Sequence, residues 1–362
     1  MIRFEPRPER NRLLRVAAPI GAAAAALVLA AIPLAFAGAP VLRAYALMFS
    51  GAFGSVFALT ETLTRATPLI LTGLAAVVAF RAKLWNIGLE GQLYAGALAA
   101  VAVGSGAIMA PAGVMVPLVL IAGFAAGALL MLGPALLKLK FGADEVVTTL
   151  LLNFVVILFV QMMLEGPLQD PMSMGWPQSA PVVDEAVLPP LVERMRLHSG
   201  LLVGLVAAAV VHVLFRHTVW GYEMRAVGEN ASAARYAGIP VSGTLVRVAL
   251  ISGGLAGLAG VGEVAGLKGY LTADLSPGFG YAGIVVAMLA ALSPLGAVLA
   301  AVFVAAVFVG ADSMSRAIGV SSYLADLVVA LSLLCVLVGG FVTRYRIRRV
   351  TRHHATAGRE RA

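Results

Sequence analysis

Asn86, Glu90 and Gln92 stand close together in an otherwise apolar chain, and their types and spacing make them the first candidates for chemistry. Asn86 and Glu90 are four residues apart, so on a helix they share a face, while Gly88 and Gly91 weaken the helix beside them. A charged side chain at the centre of an apolar span costs about 2.5 to 3.5 kcal/mol on insertion scales, so it turns toward protein or water. Two roles are open to the trio: lining a polar path, or bonding backbone groups freed by a helix break near Arg81 and Lys83. A broken helix that lines a cavity would serve both. Asn153 and Glu263 lie inside two further apolar runs and are expected on the same path. Glu61, Asp312 and Asp326 are expected near helix ends, in capping or interfacial positions.

Covalent catalysis has no visible machinery. The chain contains no phosphate-cradling G-x-x-x-x-G-K-S/T, no H-E-x-x-H and no G-x-S-x-G. His212 and His217 have no acidic or thiol partner near them in sequence, so neither a metal nor another cofactor is expected. The single cysteine, Cys335, sits in an apolar run and reads as a small buried hydrophobe.

The elements that must position these residues are membrane spans. Of 362 residues, 60% are hydrophobic and only 12% charged, about half the ~25% usual in soluble domains. With a mean hydropathy of +0.95 there is too little polar surface to cover a water-soluble globule, which excludes a soluble enzyme. Apolar windows near the ~20 residues that span a bilayer recur about ten times, at 17–38, 62–80, 86–107, 112–137, 147–165, 199–216, 243–266, 281–293, 295–312 and 323–343. The run at 281–293 is too short to cross unaided, and 281–312 reads equally as one broken crossing with a re-entrant piece. The expected fold is therefore all-α and polytopic, with 8 to 10 transmembrane helices, some broken or re-entrant. The first run, with its arginines and Ala35 and Ala37, imitates a signal peptide, but exceeds the ~7 to 15 apolar residues of one and is expected to remain as a span. A single transmembrane domain, 17–343, thus lies between a basic N-terminus, 1–16, and a basic tail, 344–362.

Charge orients the chain. With both termini cytoplasmic, twenty of the 26 Lys and Arg face inward, leaving Arg43, Arg65, Arg194, Arg196, Lys268 and Arg316 outside, in the sense of the positive-inside rule. The net charge of +8 is then an orientation signal with lipid as its partner, and no nucleic acid is implied. The proline-rich connection at about 166–198 becomes a periplasmic cap. Two inner loops stand out, 138–148 and 217–242. In the first, Asp144 and Glu145 complement the N-terminal dipole of the following helix. In the second, Glu223, Arg225, Glu229 and Arg235 decorate a short helix, Asn230 and Ser232 could cap a second turn, and Gly238 followed by Pro240 ends it. Its apolar residues, Val227, Ala231, Ala234, Tyr236 and Ile239, call for lipid or a protein groove, so a docking helix is expected. Gly253, Gly257 and Gly260 form a small-residue face suited to close helix packing.

Four stretches carry a family resemblance: FRAKLWNIGLEGQLYAGA at 80–97, GADEVVTTLLLNFV at 142–155, GYEMRAVGENASAARYAGI at 221–239 and SPGFGYAGIVVAMLAALSPLG at 276–296. Together they resemble permease subunits of bacterial ABC importers, in the ribose/branched-chain amino acid permease superfamily and its nucleoside-type branch. Lys83 stands where a glycine is common in that family, Trp85 where Phe is common, and Ser293 where Asn often precedes Pro-Leu-Gly. The resemblance implies that the cytosolic coupling helix, 221–239, seats in a cleft of a separate ATP-binding subunit. Glu223, Arg225, Gly228, Glu229, Arg235 and Gly238, with Asp144 and Glu145 beside them, would make that contact, and ATP would be used there. It further implies a second related permease forming a heterodimer, an extracytoplasmic substrate-binding protein and a place in the bacterial inner membrane. Nucleosides lead among the solutes implied, simple sugars follow, then nucleobase or flavin-like compounds. The competing reading is a secondary transporter in which Glu90 and Glu263 couple solute to protons.

Overall fold

The computed structural model describes residues 2–6, 12–106 and 108–349. Among these, seven helices are long and apolar enough to cross a membrane: α3 (Val56–Arg81), α5 (Ala112–Phe141), α6 (Glu145–Leu164), α7 (Gly200–His217), α10 (Val241–Val261, continued as a π-helix over Gly262–Lys268), α12 (Pro294–Ile318) and α13 (Ser322–Arg344). An eighth span is available if α1 (Arg12–Phe36) and α2 (Val41–Phe53), bent by 119° at Gly38 and Pro40, are one broken crossing. The short apolar helices α4 (Leu89–Gly104) and α11 (Phe279–Leu289) complete the apolar set. Each of the ten expected runs thus contains a helix, but α2 was not expected, because its apolar stretch is only 13 residues long. A departure from an all-α chain lies at the ends, where β1 (Ile2–Pro6) pairs antiparallel with β2 (Tyr345–Arg349).

At the centre is α3, with 89% of its apolar window buried, whereas α6 and α13 have 22%. Five buried threonines of α3 remain compatible with that position because each hydroxyl donates to a backbone carbonyl, as Thr64 does to Thr60 O at 2.8 Å and Thr72 to Pro68 O at 2.9 Å. Around α3 pack α4, α7, α10, α11 and α12, and α10 in turn lies against α4 and α5. The glycine face of α10 makes this last contact: Cβ atoms on Gly253 and Gly257 would run into the carbonyls of Gly127 and Gly123 on α5, and one on Gly260 into Leu93 O on α4. The outer flank of α6, with Leu151, Phe154, Val155 and Leu158 exposed, is the kind of surface that lipid covers.

Candidate functional site

The break between α3 and α4 is organised residue by residue. Helix α3 ends in a Schellman motif, with Leu84 N–H donating to Ala79 O at 3.0 Å and Lys83 N–H to Phe80 O at 3.1 Å. Lys83 holds the left-handed position at φ +52°, the conformation that makes glycine the easier residue there. The next five residues run without helical hydrogen bonds, and their polar groups are claimed by side chains. Asn86 and Gln92 exchange two amide hydrogen bonds of 2.9 Å; Asn86 Oδ1 also accepts from Gly88 N at 3.0 Å, and its Nδ2 donates to Ser252 Oγ on α10. A stripe along α6, spaced by four residues, supplies the rest. Glu145 accepts from Trp85 N at 3.3 Å, Thr149 from Ile87 N at 3.1 Å, and Asn153 from Gly91 N at 2.8 Å while donating to Ile87 O at 2.9 Å. Asn153 also reaches the hydroxyl of Tyr281 on α11, at 3.2 Å.

Glu90 carries the network onward. Its Oε2 accepts from Gly280 N at 2.6 Å, one of the donors left free in the first turn of α11, so a carboxylate of α4 caps the N-terminus of a half-length helix. Gly280 is required by closeness, since a Cβ there would strike the backbone of Glu90. Of the five residues expected along a polar path, Asn86, Glu90, Gln92 and Asn153 are therefore brought together around the break and bonded within the protein. Glu263 is not among them.

On the face where α3 ends, the segment expected to dock is two helices, where one over 221–239 was expected. Thr218 caps α8 (Val219–Glu229) by accepting from Gly221 N at 3.2 Å, and Asn230 caps α9 (Ala231–Tyr236) by accepting from Ala233 N at 3.0 Å. Gly238, at φ +83°, ends the segment ahead of Pro240, whereas Ser232 caps nothing. Three of the expected coupling residues turn inward. Glu223 pairs with Arg247 of α10 at 2.8 Å, Arg225 donates to Phe215 O at the end of α7 at 2.6 Å, and Gly228 lies so close to Arg81 O that a Cβ would collide with it. Lys83 Nζ reaches Glu229 O at 3.4 Å, joining the break to α8 directly. The side chains of Glu229 and Arg235 are not sealed into the bundle in this way, and Tyr236 is 96% exposed. Asp144 caps α6 through Val146 N at 2.8 Å, and Glu145 pairs with Lys138.

Toward the other end of α3 lies a polar cleft. Glu61 and Arg81 are separated by twenty residues of helix, about 30 Å and one bilayer thickness. Two adjoining cavities, of about 600 and 520 Å³, share Glu61, Arg65 and Arg196 in their walls. Arg65 pairs with Asp312 at 3.1 Å and lies 6.0 Å from the ring centre of Phe279; Arg196 approaches Glu61 at 3.8 Å. Glu61 and Asp312 are thus wall residues inside α3 and α12, correcting their expected place at helix ends; both helices run further than hydropathy alone marks. The acids of these pairs were visible in the sequence, but no local spacing connects Arg65 with Asp312. Glu263 lines the smaller cavity from the first residues of the π-helix. Nearby, His198 closes the 166–198 connection against Gly200, Gly262 and Gly266, accepting from Gly200 N at 3.2 Å, and burial pushes its imidazole down to about 4.

Comparison with known proteins adds the family. Residues 58–337 match the family described as branched-chain amino acid transport system / permease component. A glucose ABC transporter permease protein, TsgB13 of Haloferax volcanii, is 37% identical, the alignment covering 96% of this chain and 93% of that protein. The guanosine ABC transporter permease protein NupP of Bacillus subtilis is 36% identical over 90% of this chain and 94% of its own length. The nucleoside ABC transporter permease protein NupB of Lactococcus lactis is 31% identical over 84% and 86%. No solved structure matches. Seven to eight apolar spans among the described residues and a family match over most of the length agree: the chain belongs to the permease-component family of branched-chain amino acid transport systems and is an integral membrane subunit of an ABC transporter.

Proposed function

We propose that the chain forms half of the pore of an ATP-driven importer for nucleosides. The solute rests on the guanosine and nucleoside permeases among its relatives; a simple sugar is the second reading, favoured by the glucose permease that aligns over 93% of its length. In this reading a separate ATP-binding subunit seats on α8 and α9 and hydrolyses the ATP, while this chain carries no cofactor. A second, related permease completes the pore as a heterodimer, and an extracytoplasmic binding protein delivers the solute. The chain lies in the bacterial inner membrane with both termini cytoplasmic.

The observation that carries the coupling is the division of labour in the docking segment. Glu223, Arg225 and Gly228 fasten α8 to α10, α7 and α3, while Glu229, Arg235 and Tyr236 remain open to a partner. A pull on α8 reaches the break through Lys83 and Gly228, then α6 through the Glu145, Thr149 and Asn153 stripe, and α11 through Glu90. Such a chain of packed, hydrogen-bonded contacts can switch the pore between inward and outward access. Asn86, Gln92, Asn153 and Glu90 then shape the path, and Glu263 faces it.

The test uses the assembled transporter. Arg235→Glu combined with Tyr236→Ala should abolish co-purification of the ATP-binding subunit and uptake of labelled nucleoside, with the melting temperature of the permease unchanged because both side chains are exposed. Complex yield equal to the unaltered protein would overturn the docking assignment, and uptake of glucose in place of nucleoside would move the solute to the second reading.

A further inference from the structure

Glu263 differs from the other buried acids of the described chain. The residue is 2% exposed, yet its carboxylate has no hydrogen-bond or ion-pair partner among the described residues and forms part of a cavity wall. Glu90 and Glu145 are also buried, and both accept hydrogen bonds from backbone N–H groups. The cations that share the Glu263 wall have other partners: Arg65 bonds Asp312 at 3.1 Å, Arg196 approaches Glu61 at 3.8 Å, and Lys268 donates to Asp274 O at 3.1 Å and Thr272 Oγ1 at 3.4 Å. The Glu263 oxygens open on the cavity, so a solute that enters can take the hydrogen bonds the protein leaves unmade. The backbone singles out the same position, because α10 widens into a π-helix from Gly262 to Lys268, a distortion frequent at functional sites.

The rest of the wall defines what fits. The cavity of about 520 Å³ falls in the range of small-molecule sites, and Leu267, Leu275, Pro277 and Phe279 add apolar surface to its charged wall. The wall sets Arg65, Arg196 and Lys268 against the acids Glu61, Glu263 and Asp274, and Arg65 is also paired with Asp312, so it offers no net positive charge to an anionic solute. We propose that Glu263 is the recognition residue of a solute way-station in this cavity, where its two carboxylate oxygens accept hydrogen bonds from adjacent hydroxyls, a vicinal diol, of a neutral solute. This deepens the solute reading above and rests on it only for the choice of solute, since a diol is common to ribonucleosides and to glucose.

The experiment reads the cavity without the binding protein. Leu267→Cys, on the cavity wall, is labelled with a small thiol reagent in the assembled permease complex, with native Cys335 buried as a silent background. Uridine should slow labelling, 2′,3′-dideoxyuridine should not, and Glu263→Gln should raise the protecting uridine concentration about tenfold, the loss expected when a charged acceptor is neutralised. Equal protection by uridine and its dideoxy analogue, or equal protection by uridine with and without the Glu263→Gln substitution, would overturn the proposal. Glucose protecting instead of uridine, and depending on Glu263, would sustain the way-station while removing the nucleoside reading. A Glu263→Asp variant that folds and keeps weaker protection guards against misreading a folding defect.

Discussion

Replacing Asn153 by leucine should loosen the joint between the break, α6 and α11 without changing the size of the side chain much. Asn153 makes three hydrogen bonds, from Gly91 N at 2.8 Å, to Ile87 O at 2.9 Å and to the Tyr281 hydroxyl at 3.2 Å, and it is fully buried. The leucine variant orphans one backbone donor and one backbone acceptor, each costing about 1 to 3 kcal/mol when buried, while Tyr281 can turn its hydroxyl elsewhere. Hydrogen bonds between membrane helices average a smaller ~0.6 kcal/mol each, which for three bonds gives about 2 kcal/mol. The two routes meet at about 2 kcal/mol. For a chain of this size, with roughly 2 °C lost per kcal/mol, the melting temperature should fall by about 4 °C. Thr149→Val, which frees only Ile87 N, should lose about half as much. Fluorescence-monitored melting of the purified permease in detergent measures both, with Phe154→Leu on the exposed flank as the control. If Asn153→Leu melts together with the Phe154→Leu control, the α6 stripe is not what holds the break.

Lys83→Gly should stabilise the protein by about 1 kcal/mol, because it relieves the left-handed backbone at the end of α3 while losing one long 3.4 Å contact to Glu229 O; a lower melting temperature would mean that this contact fastens α8. His198 titrates near 4 in the folded protein and near 6.5 when unfolded, so the unfolded chain binds the extra proton first. Its stabilising contribution is complete above about pH 6.5 and is lost as pH falls toward 4, in total about 3 kcal/mol. Melting curves at neutral pH and at mildly acidic pH should converge for His198→Asn, which can still accept from Gly200 N; an unaltered pH dependence in that variant would refute the assignment.

Much of this molecule is determined by sequence alone, for reasons that act locally. Apolar length marks the spans, because a bilayer admits only backbone that satisfies its own hydrogen bonds. Capping chemistry is equally local: Asn230 caps α9 and Gly238 ends it, as their types and spacing indicate. The glycines of α10 announce a close approach to neighbouring helices without saying which, and α5 and α4 prove to be the partners. The four-residue spacing of Glu145, Thr149 and Asn153 is present in the chain but nothing local singles it out, because its meaning depends on what lies opposite. Only the tertiary structure decided that. Asn86, Gln92, Glu90, Asn153 and Glu263 look alike in the chain, as polar residues in apolar runs, and hydropathy cannot separate an acid with a backbone partner from one facing a cavity. The partners of the first four come from two helices distant in sequence, α6 and α11, and from Ser252. The charged cleft was hidden for the same reason, since Arg65 and Asp312 are 247 residues apart and their pairing is a product of packing. In a membrane chain the solvent fixes which segments become helices, and the residual polar groups acquire their roles only when those helices meet.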